Sequence, residues 1–190
     1  MDPLERVLQD QVFQVVKPIR FKGIDQFFDV SGLLRVPTLL ERVLDSLVSV
    51  LEKRKPTVIC ALDARGFLFA TPVAIRLHIP LVMIRKAGKL PGDCLKVVFD
   101  KEYESGDEFE IQKGVISESD RVVVIDDIIA TGGSMRAAFE LVKSMRPQFV
   151  EGVCLIDLNL PGSRDYMREH SINVYSLFDV SDWKKQQVGA

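Results

Sequence analysis

An α/β fold, a parallel sheet flanked by helices, is what this chain predicts, and two observations carry the expectation. Short continuous apolar runs such as "TVICAL" (57–62) and "RVVVI" (121–125) have the composition of strands covered on both faces. Between such runs lie stretches with helical spacing, and strands that alternate with helices imply right-handed crossovers and parallel pairing.

The elements follow in order. Residues 1–37, including "FKGIDQFFDVSGLLRVP", do not share the alternation and are read as an added cap. Leu40, Val43, Leu44, Leu47, Val48 and Leu51 recur at the helical period, with Glu41, Arg42, Asp45, Ser46 and Glu52 between them, so a surface helix is expected there. Pro56 marks the entrance to the first strand. A loop "DARG", a helix "FLFATPVAIRL", a strand "PLVMI", the strand "RVVVI", a helix "MRAAFELVKSM" and a strand-like "FVEGVCLIDL" complete the series. From Arg85 to Gln112 the alternation gives way to charge and turn residues, with β-like stretches at 95–99 and 109–111. An excursion of that length in a compact domain is either a functional lid or a flexible insert. No repeat or linker divides the chain, so one domain over 1–190 is expected, with 1–37 as cap and 85–112 as lid excursion.

Composition narrows the class. A hydrophobic content of 47% and a charged content of 27% over 190 residues describe a soluble globular protein able to bury a core without staples. The net charge of -2 gives no global pull toward nucleic acid or anionic membrane, so any anion must be held by a local site. No uncharged run approaches the roughly 20 residues that cross a bilayer, and "MDPLERVLQD" carries acids where a signal peptide would be basic and then apolar. A cytoplasmic location is expected. Cys60, Cys94 and Cys154 are odd in number and lack metal-ligand spacing; Cys60 and Cys154 sit in apolar runs as small hydrophobes, which fits a reducing compartment.

The chemistry concentrates in "VVVIDDIIATGGS" (122–134). A buried strand, two acids, a small-residue loop and an amphipathic helix place "ATGGS" at the C-terminal end of a strand and at a helix N-terminus, where open α/β sheets bind ligands. Gly132 and Gly133 permit positive φ and let backbone N–H groups close around an anion, with Thr131 and Ser134 adding hydroxyls. The spacing is neither that of a triphosphatase P-loop nor that of a dinucleotide turn, and it suits one phosphate monoester. Asp126 and Asp127 would repel that phosphate, so they are expected to face another part of the ligand; carboxylates accept hydrogen bonds from a sugar diol and stabilise positive charge on its ring. The bland alternative is that "DD" ends the strand and "TGG" turns into the next helix.

The ordered motif resembles the phosphoribosyl pyrophosphate (PRPP) signature of the type I phosphoribosyltransferases. "ALDARGF", "RKAGKLPG", "EYE" and "EIQKGVI" are similar, in order and spacing, to segments of the adenine-specific phosphoribosyltransferases, and the resemblance spans about Val58 to Leu160. It implies that Ala130, Thr131, Gly132, Gly133 and Ser134 cradle the 5'-phosphate while Asp126 and Asp127 face the ribose. Asp63, Ala64, Arg65 and Gly66 would form the pyrophosphate loop, although Arg65 read alone is an ordinary surface ion-pair partner. Arg85, Lys86 and Lys89 would supply cationic charge to the pyrophosphate, and Arg85 would reach the site of a partner subunit in a homodimer; read alone, "RK…K" is a solvated basic loop. Glu102 matches the family's lid glutamate, proposed to handle a proton on the purine, and Tyr103 its aromatic neighbour, in a stretch that otherwise reads as an acidic hairpin tip. Lid closure would shield a cation-like sugar from water.

The resemblance implies transfer of phosphoribose from PRPP to adenine, with magnesium (Mg2+) held through PRPP rather than by a protein cage. Purine contacts would come from the cap and from the residues after the acids: Gln26, Phe27 and Ile128. The cap departs from the pattern, since the family's Phe-Arg-Asp is Phe27-Phe28-Asp29 here and one extra residue follows Gly23. The loss of that Arg removes a donor near the base. Two rival readings are an enzyme for another base, such as hypoxanthine, xanthine or orotate, and a PRPP-responsive regulator that acts through nucleic acid. "KLPG" favours adenine, and the absence of a basic face disfavours the regulator.

Overall fold

The computed structural model describes residues 3–21, 24–101 and 104–181. Its centre is a seven-stranded sheet in the order β5-β6-β4-β3-β7-β8-β9. The strands are β3 (Val58–Leu62), β4 (Leu81–Lys86), β5 (Cys94–Lys101), β6 (Glu104–Gln112), β7 (Arg121–Ile129), β8 (Phe149–Asp157) and β9 (Val174–Asp179). β4, β3, β7, β8 and β9 run parallel, and the central strands β3, β7 and β8 are apolar and buried on both faces, as parallel pairing requires. The excursion forms an antiparallel hairpin, β5 with β6, which joins the sheet edge through the antiparallel β4–β6 pair.

Successive strand residues point to opposite faces, and the two cores divide accordingly. Ile59, Ala61, Val123, Ile125, Val153 and Leu155 enter one core with helices α1 (Pro3–Val15), α2 (Ser31–Leu34), α3 (Pro37–Arg54) and α4 (Gly66–Leu77). Val58, Cys60, Leu62, Val122, Val124 and Cys154 enter the other with α5 (Gly133–Ser144) and α6 (Ser163–Glu169). Burial pushes the Cys60 and Cys154 thiols well up, so both behave as inert apolar groups. α3 is the helix expected from Leu40 to Leu51; it starts with Pro at its first turn, and Lys55 ends it in a left-handed conformation. No helix among the described residues is long and apolar enough to cross a membrane.

The cap is more structured than its lack of rhythm suggests. β1 (Pro18–Phe21) and β2 (Ile24–Phe28) form a small antiparallel sheet of their own. Phe28 is 3% exposed and meets Phe13 edge-on at 6.3 Å, while Phe13 meets Phe178 at 6.5 Å. Position 28 therefore belongs to the core, so replacing the family's Arg by Phe here adds apolar packing.

Chain order reverses at β3: its crossover to β4 lies on one side, and β7, which follows much later, pairs on the other. The loops after β3 and β7 thus open side by side at a topological switch point, where open α/β sheets leave a ligand crevice.

Candidate active site

β7 does not stop at Ile125. Pairing with β8 continues through Asp126↔Cys154 to Ile129↔Asp157, so both acids stand within the strand rather than beyond it. Asp127 is buried and Asp126 is half-buried. Burial pushes both carboxyls up, Asp126 the further because the charge of Asp127 adds to desolvation, while the Arg65 guanidinium pulls against the shift at Asp127. Arg65 Nε lies 2.9 Å from Asp127 Oδ2, which has no aligned hydrogen bond. Asp126 Oδ1 accepts the Asp127 backbone N–H at 2.9 Å. A buried carboxylate met by one cation at an imperfect angle retains lone pairs for a ligand hydroxyl.

The glycine loop follows. Gly132 has φ +94° and is the N-cap of α5, with no side-chain cap bond, so the first turn of that helix presents its N–H groups and positive dipole end to the crevice. Gly132 is buried, Ala130, Gly133 and Ser134 are half-buried, and Thr131 is exposed. α6 backs this loop: a Cβ on Gly132 would lie 2.9 Å from Met167 Cγ and 3.5 Å from Tyr166 Cδ1. Arg136, one turn into α5, donates to the Tyr166 hydroxyl at 3.2 Å and pairs with Glu140 at 2.7 Å.

Across the crevice, the loop after β3 runs Asp63-Ala64-Arg65 into α4, with a cis peptide between Asp63 and Ala64. Gly66 opens α4 against β7: a Cβ there would lie 2.7 Å from Ile125 O and 3.3 Å from Asp126 Cα. Since the obstacle is backbone, Gly66→Ala must push β3's loop from β7, with an expected cost of about 1–3 kcal/mol in a denaturant titration. A loss under about 0.5 kcal/mol would contradict the close approach.

Arg85 Nε reaches Asp63 Oδ2 at 3.2 Å, and its Nη1 donates to Lys89 O at 3.2 Å. Lys86 and Lys89 are exposed around it. Phe27 lies under Arg65, 5.4 Å from guanidinium carbon to ring centroid, and packs against Phe21 at 5.0 Å. Ile128 is half-buried against the α1–α4 core. Gln26 lies on β2, its side chain outside the described residues, as are Glu102 and Tyr103. Among the described residues no three His, Cys, Asp or Glu side chains form a group able to hold a metal ion.

Four neighbours of the site went unread in the sequence. Phe21, six positions before Phe27, becomes its neighbour only through the β1–β2 hairpin. Tyr166 and Met167 arrive from a distant helix, with no local signal. Glu110 did carry one: an acid flanked by Phe109 and Ile111 in a strand must find donors if it is buried.

The model of the phosphoribosyl transferase domain matches residues 30–190. An adenine phosphoribosyltransferase of Mycoplasmopsis pulmonis is 38% identical over 179 residues, covering 94% of this chain and 98% of that one. The crystal structure of adenine phosphoribosyltransferase from Thermoanaerobacter pseudethanolicus superposes with a TM-score of 0.82 at 33% identity, over 90% of this chain and 99% of that one. The Trypanosoma brucei enzyme, solved with AMP, pyrophosphate and ribose-5-phosphate, gives 0.80 at 29% identity, over 92% and 80%. The chain belongs to the phosphoribosyltransferase family and, within it, to the adenine phosphoribosyltransferases.

Proposed function

We infer that this chain transfers the phosphoribosyl group of PRPP to adenine, releasing AMP and pyrophosphate. One observation carries the reading: a phosphate loop, an acid pair, a pyrophosphate-loop arginine and an aromatic face stand in that order along one crevice, linked by the Arg65–Asp127 and Arg65–Phe27 contacts. The loop matches the 5'-phosphate and the acid pair the ribose, while Arg65 and Phe27 match the pyrophosphate and the purine that replace one another on C1'. The products named with the trypanosomal relative fit the same assignment.

The N–H groups at the start of α5, with Thr131 and Ser134, bind the 5'-phosphate. Asp126 and Asp127 accept from the ribose hydroxyls and stabilise the electron-poor sugar as the C1'–oxygen bond lengthens. Arg65 is held by Asp127, so its guanidinium is placed before pyrophosphate arrives, and the incoming anion exchanges one carboxylate contact for several phosphate oxygens; Arg85, held by Asp63, stands at the edge of the crevice toward the partner's site. Lys86 and Lys89 add charge at the rim. Adenine lies on Phe27 with Gln26 and Ile128 beside it, and its N9 attacks C1' as pyrophosphate leaves. Glu102 takes part in proton handling on the purine, and Tyr103 is a PRPP contact.

Magnesium fits as a substrate-borne ion. It would be carried by PRPP rather than by a protein cage, and Asp126 and Asp127 would hold the ribose hydroxyls beside it. When bound, it neutralises the departing charge as a Lewis acid.

Exposed Leu68 and Ile75 share one face of α4, and exposed Met83 lies on β4, which supports a homodimer built on that side. Arg85 follows Met83 by two positions on β4, beside such a boundary, which supports its role at the partner's site. The chain is read as one cytoplasmic domain, with 1–37 as cap and 85–112 as lid.

Base specificity is tested by letting adenine, hypoxanthine, xanthine and orotate compete for limiting PRPP; AMP should dominate, and preference for an oxopurine would overturn the assignment. Glu102→Ala should lower kcat about 10²-fold with little change in PRPP binding. Equal turnover in variant and parent would remove Glu102 from the chemistry.

A further inference from the structure

We propose that Glu110 is a positioning residue: it fixes the backbone of the basic loop 86–90 and thereby sets the affinity for PRPP. The inference rests on the PRPP reading above. Glu110 stands directly opposite Arg85 in the β4–β6 ladder and is only 2% exposed. Its Oε1 accepts two consecutive backbone N–H groups, Lys89 at 2.7 Å and Leu90 at 2.8 Å, and Lys96 Nζ stands 4.0 Å from Oε2. These N–H groups, with that of Leu90 first, hold the carboxyl below its ordinary range, so it stays ionised at neutral pH.

The fixed loop acts on the site through a chain of contacts. Lys89 O receives Arg85 Nη1, Arg85 Nε meets Asp63 Oδ2, and Asp63 begins the pyrophosphate loop. Gly88, at φ +77° with open space around its Cα, adds no packing of its own, and a further tie to the loop is Ala87 N–H to Glu108 O at 2.8 Å. Both ties come from β6, the inner strand of the lid hairpin. Glu110 therefore joins the hairpin to the cationic rim through the loop backbone.

A purely structural carboxylate would lower stability and leave the kinetic constants of the folded fraction alone, so the kinetic split decides. Steady-state kinetics on full-length parent, Glu110→Ala and Glu110→Gln, with melting curves for each, provide it. For Ala, KM for PRPP should rise about tenfold or more, with KM for adenine at saturating PRPP within twofold. Gln keeps one neutral acceptor, so its KM for PRPP should fall between the two. A KM for PRPP within twofold of the parent in folded Ala overturns the proposal, as does a rise shared equally by both substrates. If Ala does not fold, Gln decides alone: a rise of threefold or more confined to PRPP supports the assignment, and a smaller rise or one shared with adenine overturns it. A parent without turnover would instead count against the PRPP reading.

Discussion

Asp126→Asn should lower AMP formation by about 10²–10³-fold while making the protein more stable at neutral pH. Asn keeps the oxygen that accepts the Asp127 N–H, so the local backbone is retained and only the charge is lost. The catalytic loss follows because a neutral amide cannot balance positive charge developing on the ribose. The gain in stability follows from the raised carboxyl, whose first cause is burial and whose second is the charge of Asp127. Because the folded state binds this proton more tightly than the unfolded chain, stability from this source is fully present below the unfolded value, about 4, and is lost as pH rises through the folded one. Removing the group abolishes that loss. The variant should therefore melt above the parent at pH 8, by about 2–4 °C for a gain on the order of 1 kcal/mol, with the difference closing toward pH 4. A variant that is both less active and less stable at pH 8 would show that Asp126 is held as a structural ion rather than as a strained functional one.

Gly132→Ala should act on the other end of the ligand. At φ +94° a side chain strains the backbone by about 1–2 kcal/mol, and its Cβ would press on Met167 Cγ, which is flexible enough to yield. Backbone strain thus decides the outcome: the loop relaxes toward negative φ and its N–H groups turn from the phosphate. KM for PRPP should rise about 10–10²-fold, with KM for adenine at saturating PRPP little changed. Unchanged PRPP kinetics would mean that the 5'-phosphate is not bound by this turn.

The central motif was readable because it combines signals of different kinds. An apolar strand, an acid pair, two glycines and an amphipathic helix follow one another in "VVVIDDIIATGGS", and β7, the loop and α5 appear where they fall. The strand's outer limit was not readable, since β7 runs to Ile129 by pairing with β8, a partner that begins some 20 residues later. Arg65 illustrates a reading with both halves present: it is the ion-pair partner its residue type suggests, yet the partner is the buried acid of the ligand crevice. Phe28 shows the reverse. Its departure from Phe-Arg-Asp suggested only a lost donor near the base, whereas its ring also packs edge-on against Phe13 of α1, which in turn meets Phe178 of β9. Contacts of that kind join segments over 100 residues apart, and nothing in the local pattern encodes them.

The most direct test of the account is the simultaneous measurement of AMP and pyrophosphate formed by the full-length protein from adenine and PRPP with magnesium. The account predicts continuing turnover with the two products appearing in equal amounts. PRPP binding without AMP formation would contradict it, and would make the crevice a sensor of the ligand instead of the place where its C1' bond is exchanged.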